Sequence, residues 1–144
     1  MIDALIYAHI LSLTLWFGGL FGYVVIVWPA IISEAHGEFP RALLVRIAMR
    51  TAQWIYLAMA LAVLSLGALW ALDAVPAPGP WVVVYSFLLI GLVVNNVYGT
   101  MVAWPRIMLL PQRSAEQEWF WFRVRMSVAL VIGVALHGIA TIVT

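Results

Sequence analysis

The sequence predicts an all-α fold, an integral membrane four-helix bundle with antiparallel up-down topology, as one transmembrane domain over residues 1–144. Three observations predict it. Of the 144 residues, 66% are hydrophobic and only 9% are charged, where a soluble domain carries roughly 25% charged residues. The surplus apolar surface needs a solvent other than water, and the lipid bilayer is the simplest. Four apolar segments each reach at least about 20 residues, the length that crosses about 30 Å of hydrocarbon. Finally, the seven basic residues are all arginine and cluster beside two of the three connections.

The first span is expected over about 4–32, with Pro29 near its end, where a proline bends or terminates a helix. Its N-terminal run, Met1-Ile2-Asp3-Ala4-Leu5, has no basic region ahead of the apolar stretch, so it reads as a retained span and not a cleaved signal. The second span is expected over about 43–72, with Pro40 ahead of it in a position suited to a first helical turn. The third is expected over about 81–104, between Pro80 and Pro105, and the fourth over about 120–143. A polar connection around Glu34, His36 and Glu38, with His36 read as solvated, joins the first pair. A Pro/Gly turn from Asp73 to Pro80 joins the second and third, and a polar stretch from Arg106 to Glu118 the last pair. Short connections make sequence neighbours antiparallel.

Arg41, Arg46 and Arg50 flank the first connection, and Arg106, Arg113, Arg123 and Arg125 the third. The positive-inside bias then puts these connections in the cytoplasm and both termini outside, in a bacterial inner membrane. The run Trp119-Phe120-Trp121-Phe122 fits an aromatic belt at the inner interface. No basic stripe lies outside the spans, so nucleic acid is not an expected partner. With no cysteine, disulfides, thiolate metal sites, iron–sulfur clusters and covalent haem attachment are excluded.

Polar groups inside a span are costly and read as functional candidates. His9 lies six residues after Asp3, about 9 Å into the membrane, and His137 lies seven residues before the last residue, about 10 Å in from the same side. Two imidazoles at one depth can ligate a haem iron from both faces, and neutral imidazole also suits copper or zinc. Gly133, one turn before His137, and the adjacent Gly138 would leave room for a flat macrocycle. Tyr85 and Ser86 enter the third span from the same side and are candidate neighbours of the ring or its propionates. The bland readings stand beside these: a histidine bonded to a carbonyl, Gly18 and Gly22 as a close helix contact, Tyr85 as an interfacial anchor, Asn95 and Asn96 as interhelical hydrogen-bond glue. That end of the chain has no arginine for haem propionates. No phosphate-binding Gly loop, HExxH or GxSxG is present.

The run from His9 through Trp16-Phe17-Gly18-Gly19 to Gly22, followed by Trp28-Pro29-Ala30, resembles the opening helix of CopD-like copper-resistance and copper-uptake membrane proteins. The second span, from Arg46 and Arg50 to Gly67, is similar as well. HemJ-type protoporphyrinogen oxidases share the four-helix layout and the first-helix histidine, and they bind haem. The chain departs from them where a third-helix lysine follows a tryptophan: here Trp81 is followed by Tyr85. Their further histidine is replaced near Asn95 and Asn96. These departures count against protoporphyrinogen oxidation. His137 belongs to neither pattern and supplies a second axial ligand.

The expected function is therefore haem b binding through His9 and His137. Such a bis-histidine centre moves single electrons, exchanged with a quinone or an outer-side carrier. The resemblance also implies an alternative, copper handling at His9 with Met59 or Met101 deeper. A third reading is an accessory subunit of a larger membrane redox complex, or a homo-oligomer, with structural histidines.

Overall fold

The computed structural model describes residues 1–34, 41–74 and 80–143, and among them every regular element is helical. Four stretches are long and apolar enough to cross a membrane: Ile2–Ile31, Ala42–Ala71, Val82–Leu109 and Ser114–Ile139. The chain is an integral membrane protein whose outward faces meet lipid. The polar connection around His36 and most of the Pro/Gly turn after Asp73 lie outside the described residues, as do the side chains of Arg41, Trp81 and Arg113.

Pro29, expected to bend or end the first helix, and Pro105, expected to follow the third span, both sit inside continuous helical rods. Helix α1 (Ile2–Phe21) runs through a π-helical turn, Gly22–Val27, into α2 (Trp28–Glu34), and Pro29 sits inside this continuous rod. The third span repeats the device: α4 (Pro80–Tyr98), a π-helical turn Gly99–Ala103, then α5 (Trp104–Leu109) with Pro105 inside. A proline in a regular helix strikes the carbonyl four residues back and removes a donor. The wide turn shifts that register. The Trp28 amide bonds to the Tyr23 carbonyl and the Trp104 amide to the Gly99 carbonyl, each five residues back. Val25 and Met101, whose carbonyls the rings would meet, both lie in the widened turns. The third span therefore extends past Trp104 to Leu109.

The second span is α3 (Arg41–Ala71). It closes with amide bonds from Asp73 to the Trp70 carbonyl and from Ala74 to the Leu69 carbonyl, with Asp73 left-handed at φ 49°. The fourth span, α6 (Gln112–Val143), starts well before residue 120, so the expected polar connection is largely helix. Only Leu110 and Pro111 separate α5 from α6. Leu110 is extended (φ −76°, ψ 152°), as a residue before proline tends to be. Arg106 and Glu118 pair across this corner at 3.3 Å.

The first span packs closely on the second and on the fourth, and the fourth on the third, whereas the second and third touch each other little. Two apolar clusters fill the interior. Near the termini Leu13, Trp16, Phe17, Ala62, Leu89 and Leu136 meet. At the arginine end Trp28 stacks on Trp119 at 3.5 Å between centroids, and Trp104 meets Trp119 edge-on at 5.2 Å. The expected aromatic belt is thus split by helical periodicity. Trp119 and Phe122 face the core, while Phe120 and Trp121 face outward.

Candidate functional site

His9 is bonded at both ring nitrogens. It is 3% exposed. Its Nδ1 lies 2.9 Å from the Ala62 carbonyl oxygen and 3.0 Å from Ser65 Oγ. A carbonyl only accepts, so the ring proton belongs on Nδ1. Nε2 then bears the lone pair, and the Tyr85 hydroxyl donates to it. Ser65 donates its own proton to the Leu61 carbonyl at 2.7 Å, and Ser12 to the His9 carbonyl at 2.7 Å. One imidazole therefore ties the first span to the second and third at a level where those two barely touch. A second tie, between Tyr56 and Thr100, joins the second and third spans directly, nearer the arginine end.

His137 looks elsewhere. It is half-buried and lines an apolar groove of about 490 Å³ between the first and fourth spans, with Leu13, Phe17, Gly18, Phe21 and Val134. Its Nδ1 is buried with no hydrogen-bond partner among the described residues. A Cβ added to Gly133 would collide with the Phe17 ring. Gly133 thus meets Phe17, and His137, four residues on, comes level with Leu13, which lines the same groove. His9 is one helical turn farther out, about 6 Å. Counting from the chain termini missed this offset because antiparallel helices need not begin at one level.

A haem between the two histidines does not fit this packing. Nε2 of His9 is taken by Tyr85, the two rings face different partners, and the space expected at Gly133 holds Phe17. Tyr85 is thus brought to His9, while Ser86 is not: its Oγ bonds at 2.9 Å to the Val82 carbonyl of its own helix. Over Gly18 and Gly138, by contrast, an added Cβ would meet nothing within 4 Å.

The arginine end holds a second cavity of about 590 Å³, lined by residues of all four spans. Tyr23 and Asn96 line it, and the Tyr23 hydroxyl and Asn96 Nδ2 are buried without a partner among the described residues. Asn95 Nδ2 is likewise unpartnered, so the two asparagines do not make the expected glue through these amide groups. Arg125 lies inside the fourth span with its guanidinium 4.8 Å from the Tyr98 ring centroid and 5.5 Å from that of Phe122. Sequence reasoning missed Ser65 and Tyr23 and used Arg125 only for orientation. A hydroxyl or arginine inside an apolar run is the signal that marks each.

Among the described residues no group of three or more His, Cys, Asp or Glu side chains comes together to hold a metal ion. Compared with known protein families, with curated proteins and with solved structures, the chain matches none. Its function is read from its own residues.

Proposed function

We propose that this chain is an integral membrane haem b protein of one-electron transfer, with His137 as the imidazole that meets the iron. The observation behind the proposal is the groove. It places the half-buried His137 imidazole beside an apolar wall where an added Cβ at Gly18 would meet nothing within 4 Å, leaving room for a flat ring. Haem held there would supply a one-electron couple whose potential follows from its ligands, burial and hydrogen bonds.

The chain's residues have distinct parts in this reading. His137 would offer the iron a nitrogen lone pair. Phe17, Phe21 and Val134 keep water from the ring. His9, bonded through Ala62, Ser65 and Tyr85, holds the first span, which forms the groove wall, in register with the second and third. For His9 to become a second ligand it would have to release Tyr85, and the first and fourth spans would have to slide by about a turn. The arginines put their end in the cytoplasm, and the termini with the groove on the outer side of a bacterial inner membrane. There an outer-side carrier can exchange electrons, while a quinone would approach from within the membrane. The groove opens to lipid, where a second copy or a larger membrane complex would cover it.

The test is the oxidised and dithionite-reduced spectrum of protein made with ample haem. A Soret band is expected, lost in His137→Ala and kept in His9→Ala. No Soret band would end the haem reading, and a band that survives His137→Ala would remove the ligand assignment. Copper is a second reading, favoured by one observation: Met49, Met101 and Met126 line the cavity at the arginine end, and thioethers suit Cu(I). Stoichiometric copper without iron in purified protein would establish it.

A further inference from the structure

The cavity at the arginine end is separate from the His137 groove, and its lining defines a ligand class. Leu20, Val24, Ala52, Ile55 and Met126 make it apolar, and none of its lining residues is charged. A fatty acid or a phosphate has no cation to meet inside it. Its four aromatic walls, Tyr23, Tyr56, Trp104 and Phe122, come from all four spans and suit a flat ring. Its volume, about 590 Å³, is in the range of small-molecule sites.

Two polar side chains of the lining hold a polar atom without a partner among the described residues. Asn96 is 4% exposed and its Nδ2 has no partner among the described residues; Tyr23 is 8% exposed and its hydroxyl has none. An unpartnered buried donor is costly, and water or lipid tails do not relieve it in the hydrocarbon layer. A ligand with carbonyl oxygens would. Both π-helical turns also reach this cavity, Tyr23 and Val24 from one, Thr100 and Met101 from the other. Such turns recur at functional sites because they displace side chains from the regular register. The second and third spans barely touch, and Met49 and Met101 on them are exposed at the cavity. That gap gives an apolar tail a lateral path into lipid.

We infer that this cavity binds a neutral, flat, carbonyl-bearing lipid of the quinone class, its ring among Tyr23, Tyr56, Trp104 and Phe122 and its oxygens accepting from Tyr23 and Asn96. The inference deepens the redox reading by assigning the quinone a site, but the binding itself does not depend on haem. The protein, prepared with and without added haem, is titrated with decylubiquinone while tryptophan fluorescence is followed, since Trp104 lines the cavity. Saturable quenching is expected in both preparations. Tyr23→Phe and Asn96→Leu should each weaken it about tenfold, the factor equivalent to about 1.4 kcal/mol. Thermal stability separates binding from structural glue: Asn96→Leu removes an unpartnered buried amide, so its Tm should hold or rise while affinity falls. Quenching no stronger than in the Tyr23→Phe/Asn96→Leu double variant would overturn the site, as would copurified phospholipid that decylubiquinone fails to displace. Copper(I) that binds here and blocks quinone would overturn the ligand class. A missing Soret band with saturable quenching would remove only the haem reading.

Discussion

Replacing Tyr85 with phenylalanine isolates one hydrogen bond in the interior. The ring keeps its place among Leu89, Leu92 and Met59, so packing is conserved and only the hydroxyl is lost. His9 Nε2 then has no donor, and at 3% exposure water does not replace it. Leaving a buried acceptor unsatisfied costs about 1–3 kcal/mol. Interhelical hydrogen bonds in membranes average only about 0.6 kcal/mol and reach about 1.7, because unfolded helices in lipid also find partners. His9 is held rigidly by Ala62 and Ser65 and cannot turn to a new donor, which places the expected loss near the top of that range, about 1.5 kcal/mol. The assay is reversible unfolding in mixed micelles, on wild type, Tyr85→Phe, His9→Leu and the double variant. The coupling between the two sites should be about 1 kcal/mol, above the roughly 0.3–0.5 kcal/mol scatter of independent sites. Additivity within that scatter would refute the claim that His9 ties the spans through Tyr85.

Glycines on two faces of the first–fourth span contact should respond oppositely. Gly133→Ala drives a methyl into the Phe17 ring and is expected to cost about 1–3 kcal/mol, whereas Gly18→Ala meets open space and should leave stability within about 0.5 kcal/mol. Thermal melts of the two variants check this, and the Gly18 variant should also weaken haem uptake by crowding the groove. Orientation is directly accessible because the natural chain has no cysteine. Asp73→Cys should label from the outer side of intact cells with an impermeant maleimide, and Glu116→Cys only after permeabilisation; the reverse pattern would invert the proposed topology.

The sequence by itself determined the class and the number of spans. Few charges, four long apolar runs and one-sided arginines leave a membrane bundle as the only economical arrangement, because backbone polar groups in lipid must be satisfied within helices. It also marked His9 and Tyr85, since a polar side chain in a span stands out against an apolar background. What it left open was set by contact. Pro29 read as a bend or stop and Pro105 as lying beyond its span, yet widened turns absorbed both, and such turns depend on how each rod packs against its neighbours. His9 and His137 looked level when counted from the termini, but the meeting of Phe17 with Gly133 fixed the helix offset at about one turn. Which way each imidazole faces followed from the rotation of its helix, a quantity that near-uniform apolar composition leaves unmarked. The cavity around Tyr23 and Asn96 is assembled from four spans, and its residues are scattered from Leu20 to Met126. No local pattern in the chain records their convergence; only the packing of the helices brings them to one place.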